Sequence, residues 1–185
     1  VNGVNTATGT SYITSSLGNN DIVSVIMTSN ATCASVTTAL GTGTTMTVNP
    51  NLIPVVTVTQ TGSNICTGTA VTFTANPTNG GAAPTYQWRV NGVNTGTGTN
   101  TFISSSLGNN DVVSVILTSN AICASPTTAL GTGVTMTVNP NVVPTVTINQ
   151  STASICAGQQ VTFTGVPANG GAAPTYQWRV NGVNT

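Results

Sequence analysis

Residues 84–92 read PTYQWRVNG, and this stretch carries the strongest signal for the fold. Tyr86, Trp88 and Val90 alternate with Gln87 and Arg89, which is the period-2 pattern of a strand with one buried face. The Asn-Gly pair that follows favours a type I′ hairpin turn, because both residues tolerate positive φ. The stretch therefore predicts a β-strand whose aromatic face fills a core and whose end turns back as a hairpin.

The stretch belongs to a repeat. Residues 79–95 recur without change at 169–185, and VNGVNT occurs at 1–6, 90–95 and 180–185, which gives a unit of about 90 residues. Clusters of Pro and Asn at 49–54 and 139–144 indicate short, stiff links, because proline fixes φ and donates no hydrogen bond. The sequence thus predicts the second half of one repeat (1–50), a complete repeat (51–140) and the first half of a third (141–185).

Half a β-sandwich leaves strand edges unpaired and its core open. Two explanations of the half-repeats therefore remain. Either the chain is part of a longer array, which we favour, or neighbouring chains complete the halves.

The complete repeat contains further alternating runs, bounded by turn residues, at 55–60, 71–75, 100–105, 111–119 and 134–138. Phe73 shares a face with Val71 and Ala75, and we expect it in the core with Tyr86 and Trp88. A surface platform for sugar stacking is the weaker alternative for the Trp88 and Tyr86 pair. The run 111–119 is apolar on both faces, as in a central strand. The expected class is all-β, a tandem array of β-sandwiches, with loops at 76–84 and 119–133.

Charge is nearly absent. The 185 residues carry two Lys plus Arg, two Asp plus Glu and no His, so 2% are charged, against roughly 25% in an ordinary domain. Two arginines cannot form the basic patch that nucleic acid needs. No apolar run approaches the roughly 20 residues of a membrane span. With no His, Lys or Glu to activate a hydroxyl, we expect no enzyme, and we expect neither cofactor nor metal.

Arg89 and Asp111 fall at the same end of what should be adjacent strands, which makes them a candidate structural ion pair. The alternation of side chains argues against a contact between them. Arg89 points away from the Trp88 face, whereas Asp111 points to the same side of its strand as Val113 and Val115. Calcium binding at 109–111 is a weaker alternative, since one carboxylate per repeat is a poor cation site.

Five motifs together resemble a known kind of repeat: ICTG at 65–68, VTFT at 71–74, PTYQWRVNG at 84–92, DVVSV at 111–115 and TSNAIC at 118–123. In this order they look like the immunoglobulin-like or PKD-like repeats of very large Bacteroidetes cell-surface proteins. Those proteins include gliding-motility adhesins exported by the type IX secretion route. The resemblance covers the whole chain, and it implies a secreted, surface-attached, tandem immunoglobulin-like protein. One departure is that such repeats often carry a further Cys where this chain has Ser114 or Ser24.

The four cysteines, Cys33, Cys66, Cys123 and Cys156, occupy two positions of the repeat. An exported chain favours disulfides. Only Cys66 and Cys123 share one repeat, yet an immunoglobulin-like topology would place them at opposite poles, about 20 Å apart, whereas a bridge spans about 7 Å between Cα atoms. A bridge within the repeat, a bridge between successive repeats and free thiols all remain open.

Three functions of different classes follow. The first is a structural segment of an extracellular adhesin stalk or fibre, whose partners are the neighbouring repeats of the same chain. The second is a subunit of a self-assembling filament, because zero net charge removes repulsion between copies. The third is a module that binds surface glycans through the loops 76–84 and 119–133.

Overall fold

The computed structural model describes residues 1–185, with the exception of the Thr97 side chain. Eighteen strands make up the regular structure. Residues 1–50, here called the leading segment, contain β1 (Ile22–Val23), β2 (Ile26–Thr28), β3 (Thr38–Leu40) and β4 (Thr44–Thr45). Residues 141–185, the trailing segment, contain β15 (Thr145–Gln150), β16 (Phe163–Ala168), β17 (Arg179–Val180) and β18 (Val183–Asn184).

The central unit, residues 51–140, holds the remaining ten strands. They are β5 (Val55–Gln60), β6 (Asn64–Cys66), β7 (Val71–Thr78), β8 (Thr85–Val90), β9 (Val93–Thr97), β10 (Thr101–Ser104), β11 (Val112–Thr118), β12 (Thr128–Leu130), β13 (Val134–Thr135) and β14 (Thr137–Asn139). One antiparallel sheet has the order β10-β7-β5, and a second has the order β12-β11-β8-β9, with β13 also pairing with β11. The chain is thus all-β, and the central unit is sandwich-like.

Alternation explains which side chains fill the space between these sheets. In β7, Val71, Phe73 and Ala75 are buried while the threonines between them are less so, and β11 buries every second residue in the same way. The buried hydrophobic core consists of Val56, Val71, Phe73, Ala75, Tyr86, Trp88, Leu107, Val113, Val115, Leu117 and Met136. Both sheets contribute to it, so that neither sheet could bury its apolar face without the other.

Two buried aromatic rings of the core, Phe73 and Trp88, contact the partly buried ring of Phe102. The Trp88 ring stacks on Phe102 with centroids 5.8 Å apart, and Phe73 lies 6.4 Å from Trp88 and 6.1 Å from Phe102. The Trp88 indole N–H donates to the Thr99 carbonyl at 3.1 Å, which satisfies its one polar atom. Tyr86 is buried as well. The structure therefore places Phe73, Tyr86 and Trp88 in the core and leaves none of them as a surface platform.

The hairpin joins β8 to β9 as the sequence predicts. Asn91 and Gly92 have φ of 52° and 79°, and this double positive φ is what a type I′ turn requires.

The structure differs from the predicted strands at β7, β6 and β12. The predicted strand 71–75 extends to Thr78, and Pro77 lies within it opposite Val56. Proline is tolerated there because the pairing of β7 with β10 extends only to Thr74, so that Pro77 has a ladder neighbour on one side alone. The strands β6 and β12 fall where no strand was predicted. Each has three residues, too few to show a period.

The link between the leading segment and the central unit is hydrogen-bonded to the central unit through Leu52. The Leu52 N–H donates to the Cys123 carbonyl at 2.9 Å, and the Ser125 N–H donates to the Leu52 carbonyl at 2.8 Å. Leu52 therefore forms an isolated parallel bridge with Ala124.

Candidate functional site

The first and last parts of the central unit are joined by a parallel strand pair, β6 with β14. Its register places Thr137 opposite Asn64, Val138 opposite Ile65 and Asn139 opposite Cys66. We call this pair, together with the residues that extend it on either side, the terminal clamp.

Backbone hydrogen bonds continue the clamp beyond the paired residues. The Thr137 N–H donates to the Ser63 carbonyl at 2.7 Å, and the Thr67 N–H donates to the Asn139 carbonyl at 2.9 Å. The Thr67 hydroxyl donates to the same carbonyl at 3.1 Å.

Side-chain amides add further bonds to the clamp. Asn139 donates from Nδ2 to Oδ1 of Asn64 at 2.7 Å and to the Ile65 carbonyl at 3.3 Å. Asn141 donates to the Thr67 carbonyl at 3.2 Å. The clamp thus joins residues about 75 positions apart in the chain.

The clamp and the Leu52 bridge lie at opposite ends of the sandwich. Leu52 pairs beside Ala124, after β11 has ended, whereas β13 runs antiparallel to β11 and pairs Thr135 with Val112, at the start of β11. The chain continues from β13 through β14 to Asn139, so residues 52 and 139 are separated by the length of β11. β6 and β14 run in the same direction. Tension between residues 52 and 139 that is transmitted through β5 therefore acts on this pair along the strand axes and loads the bonds between the two strands in shear.

A polar lock holds the hairpin turn to the start of β11. Asn91 donates from Nδ2 to Oδ1 of Asp111 at 2.8 Å, and its Oδ1 accepts from the Val112 N–H at 2.9 Å. The second carboxylate oxygen of Asp111 accepts from the Gly108 N–H at 2.7 Å. The Asn91 amide first, and then the Gly108 N–H, hold the pKa of Asp111 below its ordinary value, against a smaller opposing effect of burial.

The leading segment repeats this lock. Asn2 donates to Asp21 at 2.8 Å, and Gly18 donates to the same carboxylate at 2.8 Å. These two hydrogen bonds, the one from Asn2 first, lower the pKa of Asp21 as well. The one carboxylate of the leading segment and the one of the central unit are therefore both hydrogen-bonded in a turn.

The expected ion pair between Arg89 and Asp111 is not among the contacts of the described residues. Arg89 donates from Nε to the Gly92 carbonyl at 2.8 Å, and a second guanidinium nitrogen donates to the same oxygen. In the register, Arg89 lies opposite Ser114, three residues beyond Asp111. Arg89 and Asp111 instead form hydrogen bonds with uncharged groups in or near the hairpin turn.

All four cysteines are exposed free thiols in the structure. Cys66 ends β6 within the clamp, and Cys123 lies beside Leu52 at the other end of the sandwich. The bridge considered between Cys66 and Cys123 is therefore not formed, because the two residues occupy opposite poles of the unit. Cys33 and Cys156 lie in the leading and trailing segments.

The two loops considered for glycan binding meet at the Leu52 end. The Asn120 N–H donates to the Gly80 carbonyl at 3.0 Å, the Asn120 side chain accepts from the Ala83 N–H at 3.0 Å, and the Ser119 hydroxyl donates to the Asn79 carbonyl at 2.7 Å. A depression of about 570 Å³ lies beside them, lined by Asn49, Pro50, Leu52, Gly81, Ala82, Asn120, Ala121 and Ile122. This lining has neither an aromatic ring nor a charge. The polar groups of Ser119 and Asn120 already form hydrogen bonds to the other loop.

No group of three or more His, Cys, Asp or Glu that could hold a metal ion occurs in the described part of the chain. Within residues 1–185, the structure has no helix long and apolar enough to cross a membrane.

Sequence reasoning missed the clamp. Its polar residues, Asn64, Thr67, Asn139 and Asn141, are of types that abound in this chain, and the region of the last two was interpreted as a link. The sequence does contain one signal for Asn139 and Asn141, which is their recurrence. The Asn-Pro-Asn of 139–141 also occurs at 49–51, at the same position of the repeat. Recurrence alone, however, gives no indication that the Asn residues pair with a strand 75 positions earlier.

No family model matches this sequence, and neither the curated proteins nor the solved structures include one with significant similarity to it.

Proposed function

We propose that this chain is a structural segment of a long extracellular stalk or fibre of the adhesin kind, attached to a cell surface. In this proposal its sandwiches are immunoglobulin-like domains in tandem, their partners are the neighbouring repeats, and the segment carries force rather than catalysing a reaction. The observation that carries the proposal is the terminal clamp, a parallel strand pair that joins the two ends of the central unit.

The direction of load supports a mechanical role. A strand pair that is pulled apart from one end breaks one hydrogen bond at a time, whereas a pair in shear must break several together. The clamp lies in shear between residues 52 and 139, and side-chain bonds from Asn139, Thr67 and Asn141 add to its backbone bonds. Forced unfolding is governed by the unfolding barrier, so bonds that break together raise the force the unit withstands.

The strand order supports the immunoglobulin-like assignment. One sheet contains β5, β7 and β10, the other contains β9, β8, β11 and β12, and the buried Trp88 lies on β8, a core strand of the second sheet. A Trp in that position between two antiparallel sheets is typical of immunoglobulin-like sandwiches.

The composition fits the same role. A surface with one Arg and one Asp per repeat offers little for a ligand to recognise by charge, and tandem repeats extend a rod in proportion to their number.

Single-molecule stretching of the chain, tethered at its two ends, tests the proposal. We expect a distinct force peak for the central unit, followed by a gain in contour length of roughly 300 Å, from about 90 residues at about 3.5 Å each. The Asn139→Ala variant should lower the peak force. Asn49→Ala is the matched control, because Asn49 holds the same position in the repeat but lies outside the described strands. A featureless extension curve, or equal effects of the two substitutions, would refute the mechanical role.

A further inference from the structure

The link between the central unit and the trailing segment is hydrogen-bonded on both sides. Asn141 donates from Nδ2 to the Thr67 carbonyl of the central unit at 3.2 Å. Two residues later, the Val143 carbonyl accepts from Nδ2 of Asn169, in the trailing segment, at 3.1 Å. Only Val142 lies between the two attached residues, and two residues of chain span at most about 7 Å. The central unit and the next repeat therefore hold the link at almost the same point.

The link before the central unit is attached to that unit in the same way. The Ile53 carbonyl accepts from Nδ2 of Asn79 at 2.9 Å. Ile53 and Asn79 occupy the repeat positions of Val143 and Asn169. The contact between the link and the repeat that follows it thus occurs twice in the chain, and at the first link the backbone bonds of Leu52 add to it.

The residue that holds the link is itself fixed to the sandwich. Asn79 and Asn169 adopt the same left-handed conformation, with φ of 55° and 56°. The Asn79 carbonyl accepts from the hydroxyl of Ser119, which is buried just beyond the end of β11. The next carbonyl, that of Gly80, accepts from the Asn120 N–H at 3.0 Å. Asn79 therefore connects the link to the end of a central strand.

Two prolines restrict the rest of the link. Pro140 and Pro144 have a fixed φ, and the residue before each of them is restricted as well. The chain enters the link from Asn139, which is paired with Cys66 in the clamp. Few backbone rotations are thus left through which one repeat could turn relative to the next.

We propose that these links are fixed joints, at which the central unit and the repeats on either side of it are held in one orientation. The partner of each link is the repeat that follows it, and the amide of Asn79 or Asn169 makes the contact. Domains joined by a small interface ordinarily move relative to each other, whereas attachment on both sides of a single residue opposes this motion. The inference rests on the tandem repeats of the proposed function, but not on its location or its mechanical load.

Distance measurement by electron paramagnetic resonance on the full chain tests the joint at 139–144. Nitroxide labels are placed on Thr57→Cys and Thr147→Cys, in a chain whose four native cysteines are replaced by Ser. Thr57 and Thr147 are exposed, and they hold equivalent positions in β5 and β15. The distance between the labels is therefore the displacement from one repeat to the next, and we expect a single narrow distribution.

Two matched double variants test the amides. Asn141→Ala with Asn169→Gly removes both of them, and Gly keeps the positive φ at 169 acceptable. We expect the distribution to widen by at least about two-fold. Asn51→Ala with Asn181→Gly is the control, because it removes the same side chains, the second also from a positive φ, here 50°. Among the described residues, neither Asn51 nor Asn181 is hydrogen-bonded to the link at 139–144.

An insertion supplies the reference for a free joint. Gly-Ser-Gly-Ser placed after Val142 removes no side chain, and four flexible residues have an end-to-end distance of roughly 11 Å. We expect this variant to give the broadest distribution of the series.

Narrow distributions in the unsubstituted chain and in the control, with widening in the Asn141 and Asn169 variant and in the insertion variant, would support the proposal. An unsubstituted chain as broad as the insertion variant, no widening without the two amides, or equal widening in the control would overturn it. A broad distribution in a chain that still shows the stretching peak would refute this inference and leave the proposed function intact. A narrow distribution with a featureless extension curve would do the reverse.

Discussion

Asn91 offers a quantitative test of how the polar lock stabilises the central unit. Its side chain makes two of the lock's hydrogen bonds, to Asp111 and to the Val112 N–H, and its backbone adopts a φ of 52°. Replacement by Gly removes the hydrogen bonds and keeps the positive φ acceptable. Replacement by Ala removes the same bonds and adds the strain of a β-carbon in the left-handed region.

The magnitudes separate the two effects. Two hydrogen bonds at about 0.5–1.5 kcal/mol each give a range of about 1–3 kcal/mol for Asn91→Gly, and we expect about 1 kcal/mol, the low end, because the lock is largely exposed to solvent. The left-handed conformation costs a further 1–2 kcal/mol or so for Ala. We therefore expect Asn91→Ala to lower the free energy of unfolding by about 2–3 kcal/mol.

Urea denaturation followed by tryptophan fluorescence measures both values. Trp178→Phe in the background leaves Trp88 as the single reporter of the central unit. If Asn91→Ala is no more destabilising than Asn91→Gly, the argument from positive φ fails. If both variants lose less than about 0.5 kcal/mol, the lock has no structural role.

Three further predictions concern the core, the stability at acid pH and the clamp. Trp88→Ala should cost about 3–5 kcal/mol in the unfolding of the central unit, whereas Trp178→Ala, at the exposed equivalent, should cost it almost nothing; calorimetry distinguishes them. The folded-state pKa of Asp111 is lowered, so the stability it contributes is present above its unfolded pKa of about 3.9 and is lost as the pH falls through the folded pKa. Stability measured from pH 6 down to pH 2 should fall in this range, and Asp111→Asn should flatten that fall. Thr67→Val removes the hydrogen bond from the Thr67 hydroxyl to the Asn139 carbonyl and should speed forced unfolding. The dependence of the peak force on loading rate measures this unfolding rate, and an unchanged rate would show that the hydroxyl carries none of the load.

The main strands could be predicted because their pattern is local. Alternation in 71–75 and 85–90 specified which residues face inward, and Phe73, Tyr86 and Trp88 are buried. The Asn-Gly turn was predictable for the same reason, since its conformation depends on two residues alone.

The clamp and the lock could not be predicted because they join residues that are distant in the chain. β6 has three residues without a usable period, and its partner β14 begins about 70 residues later. The Arg89 and Asp111 pair was a reasonable expectation from strand ends, yet the register sets Arg89 opposite Ser114, and register is a property of the whole sheet.

The sequence by itself determined the composition of the chain, its repeat and the two faces of each strand, because side-chain period and recurrence require no knowledge of distant partners. Only the tertiary structure decided which carboxylate meets which amide and where the cysteines lie. It also decided which residues of each apolar face close the core of the central unit. Burial depends on which distant strands supply the facing sheet, and a local pattern carries no information about those strands.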